Sequence, residues 1–599
     1  MTTTELTGAE EVAWDLSDLY ESGDDPRIER DVEETDAAAA SFRERYYGRV
    51  AELSAAELRE AIEERERIES TFTRAIYYAH LRYSTDMNES ERGALVARLT
   101  EKGATIDTQL LFFGLEIAAL EDDQADTLIA SDELESWRHW LRTIRKFRPH
   151  VLTEPEEKIL TEKAVSGFAA WDRLYDELLG AVKVDLDGTT IGFEEAMAKL
   201  YSPDRDLRRR AAEAVTVALE PGIKTRTFVF NTIAVDKSID DRLRGYATWI
   251  SSRNLSNDTT DEAVQALVDA VTGRYDVVQR YYALKARLLG LDRLTYYDRM
   301  APLGDDPTHV GWAEASDIVL GAFSDFSSET GDIVERFFRE SWIDAPPRDG
   351  KRHGAFCATN VPGVHPYVFM NYTGDRRSVL TLAHELGHGL HGYLAEPLGL
   401  FNASSPLTTA ETASVFGEAL TFKRLLALEE DPRKRLNLLA GRIEDSIATV
   451  FRQVAMNRFE DGVHTTRRSE GELSPEHFQE IWLRTQTDMF GDSVDIDGYA
   501  TWWSYIPHFI GTPGYVYAYA YGYLFALSIF RKYELEGDPL VEPYLDLLRA
   551  GGSKPPEQLA EMVGLDLTDP KIWDAGIDAL AVELDEADAL ANEIGLGLS

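Results

Sequence analysis

The sequence predicts a mainly α-helical protein with one small β-sheet placed just before a helix rich in histidine and glycine. Three observations carry this expectation. Long runs that mix charged and apolar residues at helical spacing, such as Ala56 to Thr73 and Glu91 to Ala119, contain few glycines or prolines. Aromatic and β-branched residues crowd Ala355–Ala358 and His365–Tyr372, with Gly354, Gly363 and Gly374 as punctuation. Finally, Gly498 to Phe530 holds no Asp, Glu, Lys or Arg, which marks a segment withdrawn from water.

Composition narrows the partners. At 599 residues the chain can bury a sizeable core, and 62 basic against 106 acidic residues leave a formal charge of −44. Nucleic acid and anionic membranes both call for a basic surface, so neither is an expected partner. The basic residues are 15 lysines and 47 arginines. A lysine-poor acidic surface of this kind resembles that of proteins from a high-salt cytoplasm, where screening relieves self-repulsion. With one cysteine, Cys357, no intrachain disulfide can form, and a structural thiol in a reducing compartment is expected. Met1 to Glu11 carries acids where a secretory signal needs basic and then apolar residues, so a cytoplasmic location is expected.

Taken in order, Pro26 to about Leu179 reads as successive amphipathic helices. Val182 to Ile191 alternates around Asp187-Gly188, a hairpin signal at the edge of a first lobe spanning 1–202. Helices resume at Pro203, opening a second domain, 203–599, and run to about Trp342. The loop Ala345–Gly350 and the sheet follow. An outer strand of that sheet can pair with an extended peptide, or the sheet can serve only to pack the next helix. Beyond it the chain is helical to the end. Gly498–Phe530 has the length of a membrane span. Its prolines 507 and 513, four glycines, His508 and run of tyrosines argue instead for a buried helix lining a cavity.

The chemistry concentrates in Val379–His391, which contains His384-Glu385-Leu386-Gly387-His388. Histidines four apart share a helix face and can reach one zinc ion, with the intervening glutamate free to act on water. A chain of this composition meets the pattern by chance roughly once in fifty. Leu382, Leu386, Leu390 and Tyr393 lie on the opposite, apolar face. Gly387, Gly389 and Gly392 each cost on the order of 1 kcal/mol relative to alanine, so something must approach this helix closely.

A catalytic zinc commonly takes three protein ligands and leaves a fourth position for water. Leu394 stands ten residues after the first histidine, which excludes a third histidine at that spacing. His391 shares the face of His384, but three ligands on one straight helix do not close around an ion, which leaves it a supporting role. The following helix offers Glu411, Ser414 and Glu418 on one face. Either glutamate completes a His2Glu set, and the other suits accepting a ring N–H from a liganding histidine.

These residues resemble the oligopeptidases of the thimet oligopeptidase and oligoendopeptidase F type, more closely the oligoendopeptidase F branch. The matching words are His365-Pro366-Tyr367-Val368-Phe369-Met370-Asn371, Leu382 to His388, Glu411 to Glu418 and, near the N-terminus, Trp14 to Tyr20. The resemblance covers nearly the whole chain, with its specific words between residues 350 and 530. It implies two helical lobes enclosing a deep channel that admits short peptides, one zinc ion, Glu411 as the third ligand and Glu418 as a supporting acid. It also implies that a histidine, a glycine-rich loop and tyrosines serve the substrate and the oxyanion. His508, Tyr515 and either Tyr519 or Tyr523 match them, over an interval slightly longer than the thimet pattern.

The expected activity is zinc-dependent hydrolysis of internal bonds in short peptides, with Glu385 as general base and His508, Tyr515 and Tyr519 as donors. A zinc carboxypeptidase or aminopeptidase, and a non-catalytic peptide-binding scaffold, are the competing classes. A structural zinc usually has four protein ligands, and no cysteine pair is present to close such a site.

Overall fold

The structure is a computed structural model that describes residues 6–303, 308–359, 361 and 363–596; the first five residues of the N-terminal stretch read above lie outside them. The fold is 71% helical, and its sheets are short, as the periodicity requires. The chain forms two compact units, each built from three separate segments: Met1–Arg148, Thr308–Ala427 and Ile529–Leu567 in the first, and Pro149–Pro307, Leu428–Ser528 and Thr568–Ser599 in the second.

In the first unit, the N-terminal helices Pro26–Tyr46, Ala55–Thr85 and Ser90–Ala119 start where local chemistry lets them start. Asp25 accepts the Arg27 N–H ahead of Pro26, and Ser54 with Glu57 forms a reciprocal capping box. Their apolar stripes meet in a core built on Phe42, Leu58, Ile62, Leu110 and Phe113. A second core joins Tyr20, Tyr78 and Leu99 to Tyr367 of the small sheet.

That sheet has three strands in the order Ile343–Asp344, Tyr367–Phe369, Phe356–Ala358, the central strand pairing in parallel with the first and antiparallel with the last. Two of the strands fall inside the stretches marked by the sequence. Ile343–Asp344, two residues with no alternation to read, gave no signal. The intervening loop is tied down by buried Lys351, which donates to the Asp344 carboxylate (2.6 Å) and to the Pro346 (2.9 Å) and Met370 (2.6 Å) carbonyls. The histidine helix follows as Arg376–Ala395, capped by Asp375, which accepts the Ser378 N–H at 2.7 Å.

In the second unit the expected hairpin is present as Lys183–Leu186 with Thr189–Gly192, turning through Asp187 and Gly188, both at positive φ. Helices Ile223–Arg244, Arg452–Glu470 and Pro475–Phe490 bury an aromatic core of Phe230, Phe459, Phe478, Trp482 and Trp503. The charge-free stretch is divided into turns at Trp502–Tyr505 and His508–Gly511 and the buried start of helix Tyr517–Glu536. No single helix among the described residues is long and apolar enough to cross a membrane.

Candidate metal centre

The glycines of the histidine helix are where its neighbours touch it. A Cβ on Gly387 would lie 2.3 Å from the Ala413 carbonyl oxygen, one on Gly389 2.6 Å from the Phe337 ring, and one on Gly392 2.6 Å from Thr359, which follows the strand Phe356–Ala358. Gly417 answers from the facing helix Thr412–Leu428: its Cβ would meet the Ala383 carbonyl at 3.2 Å and Phe323 at 2.5 Å. The two helices therefore meet backbone to backbone, directly beside the residues whose side chains must converge.

They do converge. Nε2 of His384 and Nε2 of His388 lie 3.4 and 3.5 Å from the same Glu411 oxygen, Oε2, and one ligand atom from each residue falls within 4.8 Å of the others. Glu411 is not inside the helix, as its spacing had implied. It sits at the joint between Leu407–Ala410 and Thr412–Leu428, its carbonyl accepting the Val415 N–H at 3.1 Å. Two imidazole nitrogens and a carboxylate oxygen form a donor set that fits zinc with a position left open.

Each of these groups is held from behind. Glu418 Oε2 stands 3.3 Å from His384 Nδ1, Ser414 donates to Glu411 Oε2 at 2.7 Å, and His388 bonds to the Ala410 backbone. The same contacts set the protonation preferences. Burial opposes charge on His384, but the Glu418 hydrogen bond and the carboxylates of Glu411, Glu418 and Glu385 carry its pKa up to about 9. Burial takes His388 down to about 4. Burial also works against the Glu411 carboxylate, yet both imidazoles and Ser414 hold it below the usual range.

Glu385 is 6% exposed, and its Oε2 is buried without a hydrogen-bond partner. Burial pushes its pKa up to about 7, His384 opposing and Glu411 adding to the shift. A buried carboxyl with an unspent oxygen beside a metal-ligand set is equipped to exchange a proton near neutrality. His391 lies off the ligand set, its Nε2 3.4 Å from Ser405 Oγ, and burial keeps it neutral with a pKa of about 4.

In the second unit His508, Tyr515 and Tyr519 form one cluster. His508 Nε2 is 3.3 Å from the Tyr519 hydroxyl, and the Tyr515 ring packs edge-on to Tyr519 at 5.0 Å. Burial, then Arg452, lowers the His508 pKa. The other tyrosines are spent on packing: Tyr517 accepts from buried Asn257 at 2.9 Å, Tyr521 packs on Trp573, and the Tyr523 hydroxyl lies 2.7 Å from Ser446. Two side chains that no motif pointed to also belong here: Arg452, beside His508, and Glu460, which accepts the Gly514 N–H at 2.9 Å.

A helical fold in which two helix-borne histidines and a carboxylate converge, with a buried glutamate on the same helix, is the architecture of a metallohydrolase. The comparisons agree. Residues 327–579 match the model of peptidase family M3, and residues 116–183 match that of oligopeptidase F. The oligopeptidase PepF of Bacillus subtilis is 30% identical over 570 residues, covering 92% of this chain and 83% of that protein. The crystal structure of oligoendopeptidase-F from Enterococcus faecium superposes with a TM-score of 0.71 at 23% identity, over 94% of this chain and 99% of that one. A Chlamydophila abortus structure reaches 0.85 at 22% identity, over 96% and 98%. The chain belongs to the oligopeptidase F branch of peptidase family M3 and is a metallo-oligopeptidase.

Proposed function

We propose that the chain is a zinc-dependent endopeptidase that cuts internal bonds of short peptides. The observation that carries this reading is the convergence of His384, His388 and Glu411 within 4.8 Å, with the buried, unpartnered Glu385 oxygen on the same helix. When bound by the three ligands, zinc supplies Lewis-acid polarisation of the scissile carbonyl and an acidified water. Glu385 accepts the proton of the attacking water and returns it to the departing amine. His384 keeps its ligating face aligned through Glu418, and Glu411 through Ser414. His508 and Tyr515, with Tyr519 hydrogen-bonded to His508, donate to the oxygen on which negative charge develops. The edge strand Phe356–Ala358 offers main-chain groups to an extended peptide. Region 203–599 carries all of these side chains and is assigned the catalytic role.

An internally quenched peptide blocked at both ends tests this directly. Cleavage that is lost in chelator and restored by zinc supports the reading. Cleavage only of peptides with a free terminus would assign an exopeptidase, and cleavage unaffected by chelator would remove the metal from the chemistry.

A further inference from the structure

In a chain of charge −44, an arginine without an acidic partner is a feature to explain. Arg452 is such a residue. It follows directly on a π-helical turn, Ile447–Phe451, a local widening frequent at functional sites. Its Nη2 donates to the Tyr505 hydroxyl at 3.2 Å, and no carboxylate among the described residues lies within ion-pair distance of it. The side chain is half-buried, and none of its nitrogens is both sealed from solvent and unbonded, so its remaining N–H groups stay open to a visitor.

Its surroundings reinforce the excess of positive charge. Arg299, 6% exposed, lies close enough to interact with it and donates to the Tyr296 carbonyl and the Tyr499 hydroxyl, both at 3.1 Å. Nearby Lys285 donates to Glu444, a carboxylate that also feels Arg299 but makes no ion pair with Arg452. Burial, with Arg452 adding to it, lowers the pKa of His508, so the guanidinium's charge is felt at the imidazole.

We propose that Arg452 is the anchor for a carboxylate of the bound peptide, one of whose carboxylates settles on the open edge of its guanidinium beside His508. The proposal rests on the reading of His508 as a substrate-facing residue. A planar guanidinium with free N–H groups matches a carboxylate in bidentate fashion, and the bond is charge-assisted on both sides. The carboxylate has two sources, the peptide's C-terminus and an Asp or Glu side chain. An anchor of this kind explains how an acidic protein retains acidic or short peptides that its overall field repels.

The test uses the full-length, zinc-loaded chain and one peptide sequence in three forms: free acid, C-terminal amide, and amide with a glutamate in place of glutamine near the cleaved bond. Kd is read in parallel by fluorescence anisotropy in chelator, so that binding is measured whether or not turnover occurs. For wild type, a carboxylate-bearing form is expected to show KM and Kd about tenfold below the plain amide. Arg452→Met should abolish that difference in Kd, and Arg452→Lys should restore part of it, because charge returns without the fork. Loss of the difference for the free acid assigns the C-terminus, and for the glutamate form a side chain. Equal binding of all three forms by wild type, or a preference that survives in a folded Arg452→Met chain, overturns the anchor. Absence of turnover with every peptide would instead count against the peptidase reading, and the anisotropy arm would still decide the anchor.

Discussion

The Arg376–Ala395 helix and the Tyr517–Glu536 helix are both buried over most of their length, yet they present chemistry in opposite ways. On the first, position comes from the backbone. Gly387 and Gly417 let two helices touch main chain to main chain, and His384, His388 and Glu411 converge beside that contact. Around the second, position comes from side chains. Five tyrosines crowd residues 515–523, and three of them are occupied by Asn257, Trp573 and Ser446. The remaining two, Tyr515 and Tyr519, pack with His508. A site fixed by backbone contact should fail abruptly when that contact is filled, whereas a site selected by packing should lose function and stability at different positions.

The largest expected effect is chemical. Glu385→Gln keeps the shape of the helix and removes its proton acceptor, so kcat should fall by about a thousandfold or more while one zinc per chain remains. Retained turnover would move the base elsewhere. His508→Gln should reduce kcat by about a hundredfold with little change in thermal midpoint, as expected for an oxyanion donor. Tyr517→Phe should do the reverse, leaving kcat intact and costing about 1 kcal/mol through the lost bond to buried Asn257, measured by urea unfolding. Identical behaviour of the two variants would erase the distinction between the regions.

Gly387→Ala comes next, because its Cβ would meet a carbonyl oxygen of the facing helix at 2.3 Å, and backbone cannot rotate away. The expected cost is about 1–3 kcal/mol with weakened zinc retention. Gly389→Ala, which meets the Phe337 ring, should retain zinc better because a ring can shift. The smallest effect concerns pH. Burial raises the Glu460 pKa to about 8, against the opposing Gly514 N–H, Arg253 and Lys237. A carboxyl whose folded pKa is raised contributes its stability below the unfolded value near 4.5 and loses it as pH climbs through about 8. Glu460→Gln should therefore raise the thermal midpoint by about 2 °C more at pH 8 than at pH 5. An equal shift at both pH values would contradict the assignment.

Much of the metal centre was legible because its spacing is carried by one helix: His384, Glu385 and His388 keep their relations whatever surrounds them. The three glycines also announced a close approach, although only the fold names Ala413, Phe337 and Thr359 as the partners. The choice between Glu411 and Glu418 could not be read from spacing, since it depends on which carboxylate the helix crossing brings to Nε2 and which to Nδ1. Arg452 and Glu460 were invisible for a related reason. Their meaning lies in what they lack or touch across more than fifty residues of chain, and no local pattern records that.

Zinc content after dialysis is the most direct test of the central claim, that His384, His388 and Glu411 hold the ion while Glu418 orients one of them. Wild type should carry about one zinc per chain, Glu411→Ala essentially none, and Glu418→Ala should bind with about 10- to 100-fold lower affinity. Full occupancy in Glu411→Ala, with loss in Glu418→Ala, would transfer the third ligand to Glu418 and contradict the account.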